Sequence, residues 1–168
     1  MGNNYTLALI QLISNFIMKK IGLVFGFLVF FVIISLMVIG TIVPETYVYL
    51  GRQVPKKYVN EIKTLGLLDD GEKIKYLYTD GFFDIKDGVY FVTDQKLVVY
   101  CKEWLEPETL IRFDEIIKLD IEYDNSFLED SFIFLETTNG LEVEFPVSSE
   151  KNRDKAFYEY LLEKSGLE

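Results

Sequence analysis

The sequence predicts an α+β protein: an N-terminal transmembrane helix, then an antiparallel β-sandwich or partly open barrel of about seven strands closed by a C-terminal helix. Three observations predict it. Ile21 to Val43 is a run of 23 residues without a charge. From Lys73 to Phe145 the chain breaks into short apolar runs, several alternating with polar residues, divided by Gly, Asp and Asn. After Ser148-Ser149 the apolar spacing returns to that of a helix.

Charge divides the chain at the same place. Residues 1–44 hold only Lys19 and Lys20, whereas all 27 acids and the other 15 of 17 basic residues follow, a balance of −12 for the second part. Such a distribution excludes a simple soluble globule, a disordered chain and a nucleic-acid binder driven by bulk charge. The chain has no histidine, which removes imidazole chemistry.

Residues 21–43 are the spanning segment. Seventeen of the 23 are Leu, Ile, Val or Phe, and a helix of that length reaches roughly 35 Å against a hydrocarbon core of about 30 Å. A cleaved signal peptide fits less well. The run exceeds an ordinary apolar signal core, Val38-Ile39-Gly40 is a poor cleavage site, and the stretch before the lysines is itself apolar. Residues 1–20 form a second, shorter apolar helix with Gln11, Ser14 and Asn15 on one side. It lies in the membrane interface or packs on another subunit's spanning helix, the interface being favoured. Arg52, Lys56 and Lys57 outnumber Lys19 and Lys20, which places the large domain on the cytoplasmic side.

Residues 44–55 read as a linker with a proline near each end, and 56–168 as an acidic domain. Helix 56–65 starts after Pro55, turns Tyr58, Val59, Ile62 and Leu65 to one face, and stops at Gly66. Strands are predicted at 73–79, 88–93, 96–102, 110–113, 117–123, 131–138 and 141–145. Asp94-Gln95 and Asn139-Gly140 are hairpin turns, the latter a strong two-residue signal. Ser148 or Ser149 caps a closing helix, 149–165, whose face is Ala156, Phe157, Tyr160, Leu161 and the stem of Lys164. Gly166 suits its C-terminal left-handed position.

Several stretches resemble the bacterial pleckstrin-homology-like (PH-like) domains, related in fold to eukaryotic PH and GRAM domains. They are Leu68-Asp69-Asp70-Gly71-Glu72-Lys73-Ile74, the hairpin from Gly88 to Leu97, Phe113-Asp114-Glu115-Ile116 before a strand, and the helix at Phe157 to Leu162. The likeness covers about residues 66–165 and implies a PH-like sandwich. A single spanning helix joined to such a domain resembles a common arrangement of that family. It implies a bacterial inner-membrane protein with a cytoplasmic C-terminal domain.

Catalysis finds no support. Asp69-Asp70, Asp114-Glu115 and Glu129-Asp130 are paired acids in predicted turns, without the spacing of a metalloprotease, P-loop, serine-hydrolase or calcium motif. Cys101, the only cysteine, reads as a small core filler. The expected protein is therefore non-enzymatic, with no cofactor and no metal. Its partners are the bilayer, through residues 21–43, and a protein or further copies of itself, with no nucleic acid. Phosphoinositide-binding PH domains hold phosphates with Lys and Arg around the first hairpin loop. The matching stretch here, Asp80 to Gly88, has three acids and one lysine, so such head groups are disfavoured. Three apolar spots in predicted loops are the candidate interaction residues: Phe82 and Phe83, Trp104 and Leu105, Phe127 and Leu128. The acidic balance suits a basic or apolar partner better than an acidic one. The expected role is a membrane-anchored module for protein–protein interaction or homo-oligomeric assembly. A membrane-bound immunity or defence component and a lipid-contacting module using the apolar loops are the alternatives.

Overall fold

A computed structural model describes residues 3–42, 47–81, 83–124 and 129–167, with side chains described for residues 18–38 of the first stretch. The chain forms two compact units, residues 1–43 and 44–168.

The first unit is one helix, α1 (Asn3–Ile42). The boundary expected between 1–20 and 21–43 is absent from its backbone. Lys19 and Lys20 are good helix formers and no proline lies near them, so the intrahelical hydrogen bonds continue through the charges. Met18–Val38 has a mean hydropathy of 3.0 and exposed side chains throughout, long and apolar enough to cross a membrane.

The second unit begins earlier than expected. Within residues 44–55, Tyr49–Leu50 forms a two-residue strand, β1, and Val48, Tyr49 and Val54 are buried. Two residues carry too short a pattern to read as a strand. Then come α2 (Lys56–Thr64), β2 (Ile74–Thr79), β3 (Val89–Thr93), β4 (Lys96–Tyr100), β5 (Glu108–Arg112), β6 (Ile116–Glu122), β7 (Ser131–Thr137), β8 (Glu142–Val147) and α3 (Arg153–Ser165). All pairings are antiparallel, in a five-stranded sheet ordered β1-β2-β3-β4-β5 and a three-stranded sheet ordered β6-β7-β8. The sheets stay separate, a sandwich rather than a closed barrel.

Period-two alternation divides the core. Tyr90 and Val92 of β3, with Leu97 and Val99 of β4, meet Ile133, Leu135 and Phe145 of the second sheet. Phe157 and Leu161 of α3 complete that core. Val89, Phe91 and Val98 point the other way, into a second core with Ile62 of α2, Leu67 and Ile85. The five-stranded sheet is thus covered on both faces, which is why β3 is buried at every residue.

Four local departures have physical causes. A bulge between Ile116 and Lys118 leaves Ile116 inside and Ile117 51% exposed, whereas the simple alternation put Ile117 inside. β8 runs on through Pro146, which an edge strand tolerates. The hairpin at Asn139-Gly140 is a three-residue loop rather than a two-residue one. Gly140 N–H donates to Thr137 O, Thr137 N–H to Leu141 O, and only Gly140 takes a positive φ (+81°). Finally, the closing helix is broken. A 3-10 turn (Glu150–Asn152) precedes α3, with Lys151 and Asn152 left-handed at φ 63° and 53°. Ser148 Oγ accepts from Glu150 N–H of that turn and does not cap α3.

A candidate interaction surface

The register brings two of the predicted loops together. Thr79 pairs with Val89, Val89 with Tyr100 and Tyr100 with Glu108, so the β2–β3 and β4–β5 loops leave the same end of the sheet. Lys102 N–H donates to Lys86 O at 2.9 Å and its ammonium pairs with Asp87. The Cys101 thiol donates to Asp87 O at 2.9 Å. Cys101 is therefore half-buried and ties two loops together, where a core filler was expected.

Asp130, the residue before β7, reaches the same end. Tyr78 at the end of β2 donates its phenol proton to Asp130 Oδ2 at 2.5 Å, and Tyr90 donates to Asp80 Oδ2 at 3.2 Å. The two rings stack at 6.3 Å between centroids. Burial pushes the Asp130 carboxyl above the usual carboxylate range, and the nearby Asp80 charge adds to this against the Tyr78 hydrogen bond. Burial likewise raises Asp80, and raises the Tyr78 and Tyr90 phenols well beyond their ordinary value.

Of the six predicted residues, Phe82, Phe127 and Leu128 lie outside the described residues. Phe83 is 65% exposed, Trp104 43% and Leu105 fully exposed. The Trp104-Leu105 tip has Glu103, Glu106 and Glu108 around it in sequence, all exposed. Lys86, the one cation of the 80–88 loop, pairs with Glu61 and Asp84 at 3.3 Å each. An apolar tip with an acidic surround can enter an apolar hollow lined by cations; a phosphate finds no such partner there.

Sequence reasoning missed the outer face of the three-stranded sheet. Phe132 and Phe134 lie outward there among Asp120, Glu122, Glu136, Glu142 and Glu144, with Lys118 opposite Glu136. Alternation within β7 was the available signal, but its Phe residues at every second position look like core without the pairing. Among the described residues no group of three or more His, Cys, Asp or Glu is placed to hold a metal ion.

No protein-family model and no curated protein matches the chain. Solved bacterial structures do. A duf1696 family protein with a pleckstrin-homology domain from Shewanella loihica PV-4 is 11% identical with a TM-score of 0.48, covering 66% of this chain and 92% of its own. A pleckstrin homology domain from Shewanella amazonensis SB2B is 13% identical, TM-score 0.45, covering 66% and 86%. A PH domain containing protein from Exiguobacterium sibiricum 255-15 is 20% identical, TM-score 0.48, covering 67% of this chain and 61% of its own. Two antiparallel sheets of five and three strands followed by a helix are consistent with the PH-like fold that the sequence predicts.

Proposed function

We propose that the chain is a single-pass, membrane-anchored PH-like module for protein–protein interaction or homo-oligomeric assembly, non-enzymatic and without a cofactor. Its domain works on the cytoplasmic face of a bacterial inner membrane. Met18–Val38 supports the anchor by length and hydropathy. The absence of histidine from the sequence and the engagement of the Cys101 thiol by a backbone carbonyl support a role without chemistry.

One observation carries the interaction reading: the Trp104-Leu105 tip is exposed at the end of the β4–β5 hairpin. A Leu held wholly in water forgoes about 1.5–3 kcal/mol that burial against a partner would return. Trp is enriched among residues that dominate interfaces. The three glutamates around the tip oppose approach to an anionic leaflet, which favours a protein over lipid as the occupant.

The test is a mild-detergent pull-down of the full chain from its own membranes, beside an anchor-only control, with native mass on the eluate. A stoichiometric partner or multimer that needs residues 56–168 and is lost with Trp104→Ala is the expected result. A monomer carrying only co-purified lipid would reject it in favour of the lipid-contacting alternative, with exposed Phe83 beside the same tip as its basis.

A further inference from the structure

One buried carboxylate is only half satisfied. Asp154, the second residue of α3, is 2% exposed, and its Oδ2 accepts from the Ser131 hydroxyl at 2.8 Å. Its Oδ1 is buried without a hydrogen-bond partner, the only such side-chain atom among the described residues. A carboxylate oxygen kept from water with nothing opposite it is costly, and native structures rarely leave one so. The neighbouring groups do not supply the partner. Ser149 and Asn152 precede α3, yet neither side chain makes a capping hydrogen bond. The Lys155 ammonium lies over the Tyr123 ring, 5.6 Å from its centroid.

Asp154 lines a hollow of about 420 Å³ with Tyr123, Asp124, Ser149, Asn152 and Lys155. Ser131 holds the two acids around it. Its hydroxyl, which donates to Asp154, also accepts from Asp124 N–H at 3.1 Å. Asp124 and Asp154 thus stand two hydrogen bonds apart, although one follows β6 and the other opens α3. Every lining side chain except Lys155 offers an oxygen. No imidazole exists in the chain, and its one thiol, Cys101, is engaged with Asp87 O at the β2–β3 loop. An all-oxygen donor set with two carboxylates selects a hard cation over zinc or copper.

We propose that this hollow binds a hard divalent cation, Ca²⁺ or Mg²⁺, with Asp154 Oδ1 and the Asp124 carboxylate as its charged ligands. The Ser149 hydroxyl, the Asn152 amide oxygen and water complete the shell. The ion is structural: it ties the end of β6 and the start of β7 to α3 and takes part in no reaction. The site goes beyond the interaction reading and stands or falls without it. Lys155 and the positive start of α3 oppose a cation, so the two carboxylates win by a small margin and the affinity is modest. Removing the Lys155 charge therefore tightens binding.

Tb³⁺ titration of the full chain in detergent tests this, because a tyrosine beside bound Tb³⁺ sensitises its emission and Tyr123 lines the hollow. Saturable emission that Ca²⁺ or Mg²⁺ displaces is expected, and separate titrations rank the two ions. Asp124→Asn and Asp154→Asn are each expected to weaken binding about tenfold or more, and Lys155→Met to strengthen it. Tyr123→Phe dims the emission at unchanged affinity. The melting temperature of the unaltered chain rises with the displacing ion, and that of Asp124→Asn does not. Circular dichroism checks the fold of each variant; if Asp154→Asn does not fold, Asp124→Asn and Lys155→Met decide. Glu136→Gln with Glu142→Gln, on the outer face of the three-stranded sheet, leaves binding as it was. Emission that never saturates, or that neither Ca²⁺ nor Mg²⁺ displaces, overturns the inference. So does an affinity indifferent to Asp124→Asn, to a folded Asp154→Asn or to Lys155→Met, or one lost with Glu136 and Glu142.

Discussion

The Tyr78 hydroxyl donates to Asp130 at 2.5 Å and thereby joins the last turn of residues in β2 to the loop that enters β7. The bond crosses from one sheet to the other, and half-burial of the carboxylate makes its loss costly. Tyr78→Phe keeps the ring stacked on Tyr90 but leaves Asp130 without this donor. It is expected to lower domain stability by about 1–3 kcal/mol, read as a shift of the urea midpoint for the full chain in detergent. A midpoint equal to that of the unaltered protein would show that water replaces the phenol at no cost.

The same carboxylate sets a pH dependence whose sign follows from burial. Asp130 has its folded pKa above the unfolded value of about 3.9. Between those two values the folded state binds more protons, so its contribution to stability is fully present below the unfolded pKa and is lost as pH rises through the folded one. Asp84 acts in the opposite sense. Backbone and side-chain hydrogen bonds to Lys86 outweigh its slight desolvation and hold it below the usual range, so its contribution is lost on acidification. Asp130→Asn retains an acceptor for Tyr78 and removes only the first dependence. The melting temperature of Asp130→Asn relative to the unaltered chain is expected to rise from pH 4 towards neutrality. A constant difference across that range contradicts the account.

Phe157 anchors α3. It is wholly buried, with ring centroids 6.0 Å from both Tyr76 and Phe145. Phe157→Ala removes a large side chain from the core between the sheets, where neighbours on three elements cannot all close the gap. A loss of about 3–5 kcal/mol is expected by denaturant titration. A loss below about 1 kcal/mol would mean that α3 is held mainly by its hydrogen bonds, such as Tyr160 Oη to Thr93 O at 3.1 Å.

What the sequence made legible was governed by local chemistry. Gly66 and Gly166 stand at φ +77° and +71° where the helix stops were read, because only a left-handed residue ends those helices without strain. The seven strands read from short runs between turn residues are present as β2 to β8. The two-residue β1 and the bulge at Ile116 were hidden, since each depends on a partner strand far along the chain. The break before α3 was hidden for another reason: Lys151 and Asn152 carry no glycine signal for their left-handed backbone. Leu105 and Trp104 were legible as loop residues because acids and a proline surround them. The grouping of Arg52, Lys63, Lys73 and Lys75 around one hollow was not, because they come from a turn, a helix and the approach to and start of a strand that only the fold assembles.

Glu136 and Glu142 stand directly opposite each other across β7 and β8, on the outer face of the three-stranded sheet. Like charges at such positions repel, and Lys118, on the other side of Glu136, is the only cation among the described outward residues of that face. Glu142→Lys turns the repulsion into a cross-strand pair. Stability is expected to rise by about 0.2–1 kcal/mol at low ionic strength, with the gain shrinking as salt is added. Urea midpoints of the two chains at low and high salt measure both the sign and the screening. A decrease at low salt would mean that Glu142 takes part in a favourable contact, and it would make this acidic face, rather than the Trp104-Leu105 loop, the first surface to probe for a basic partner.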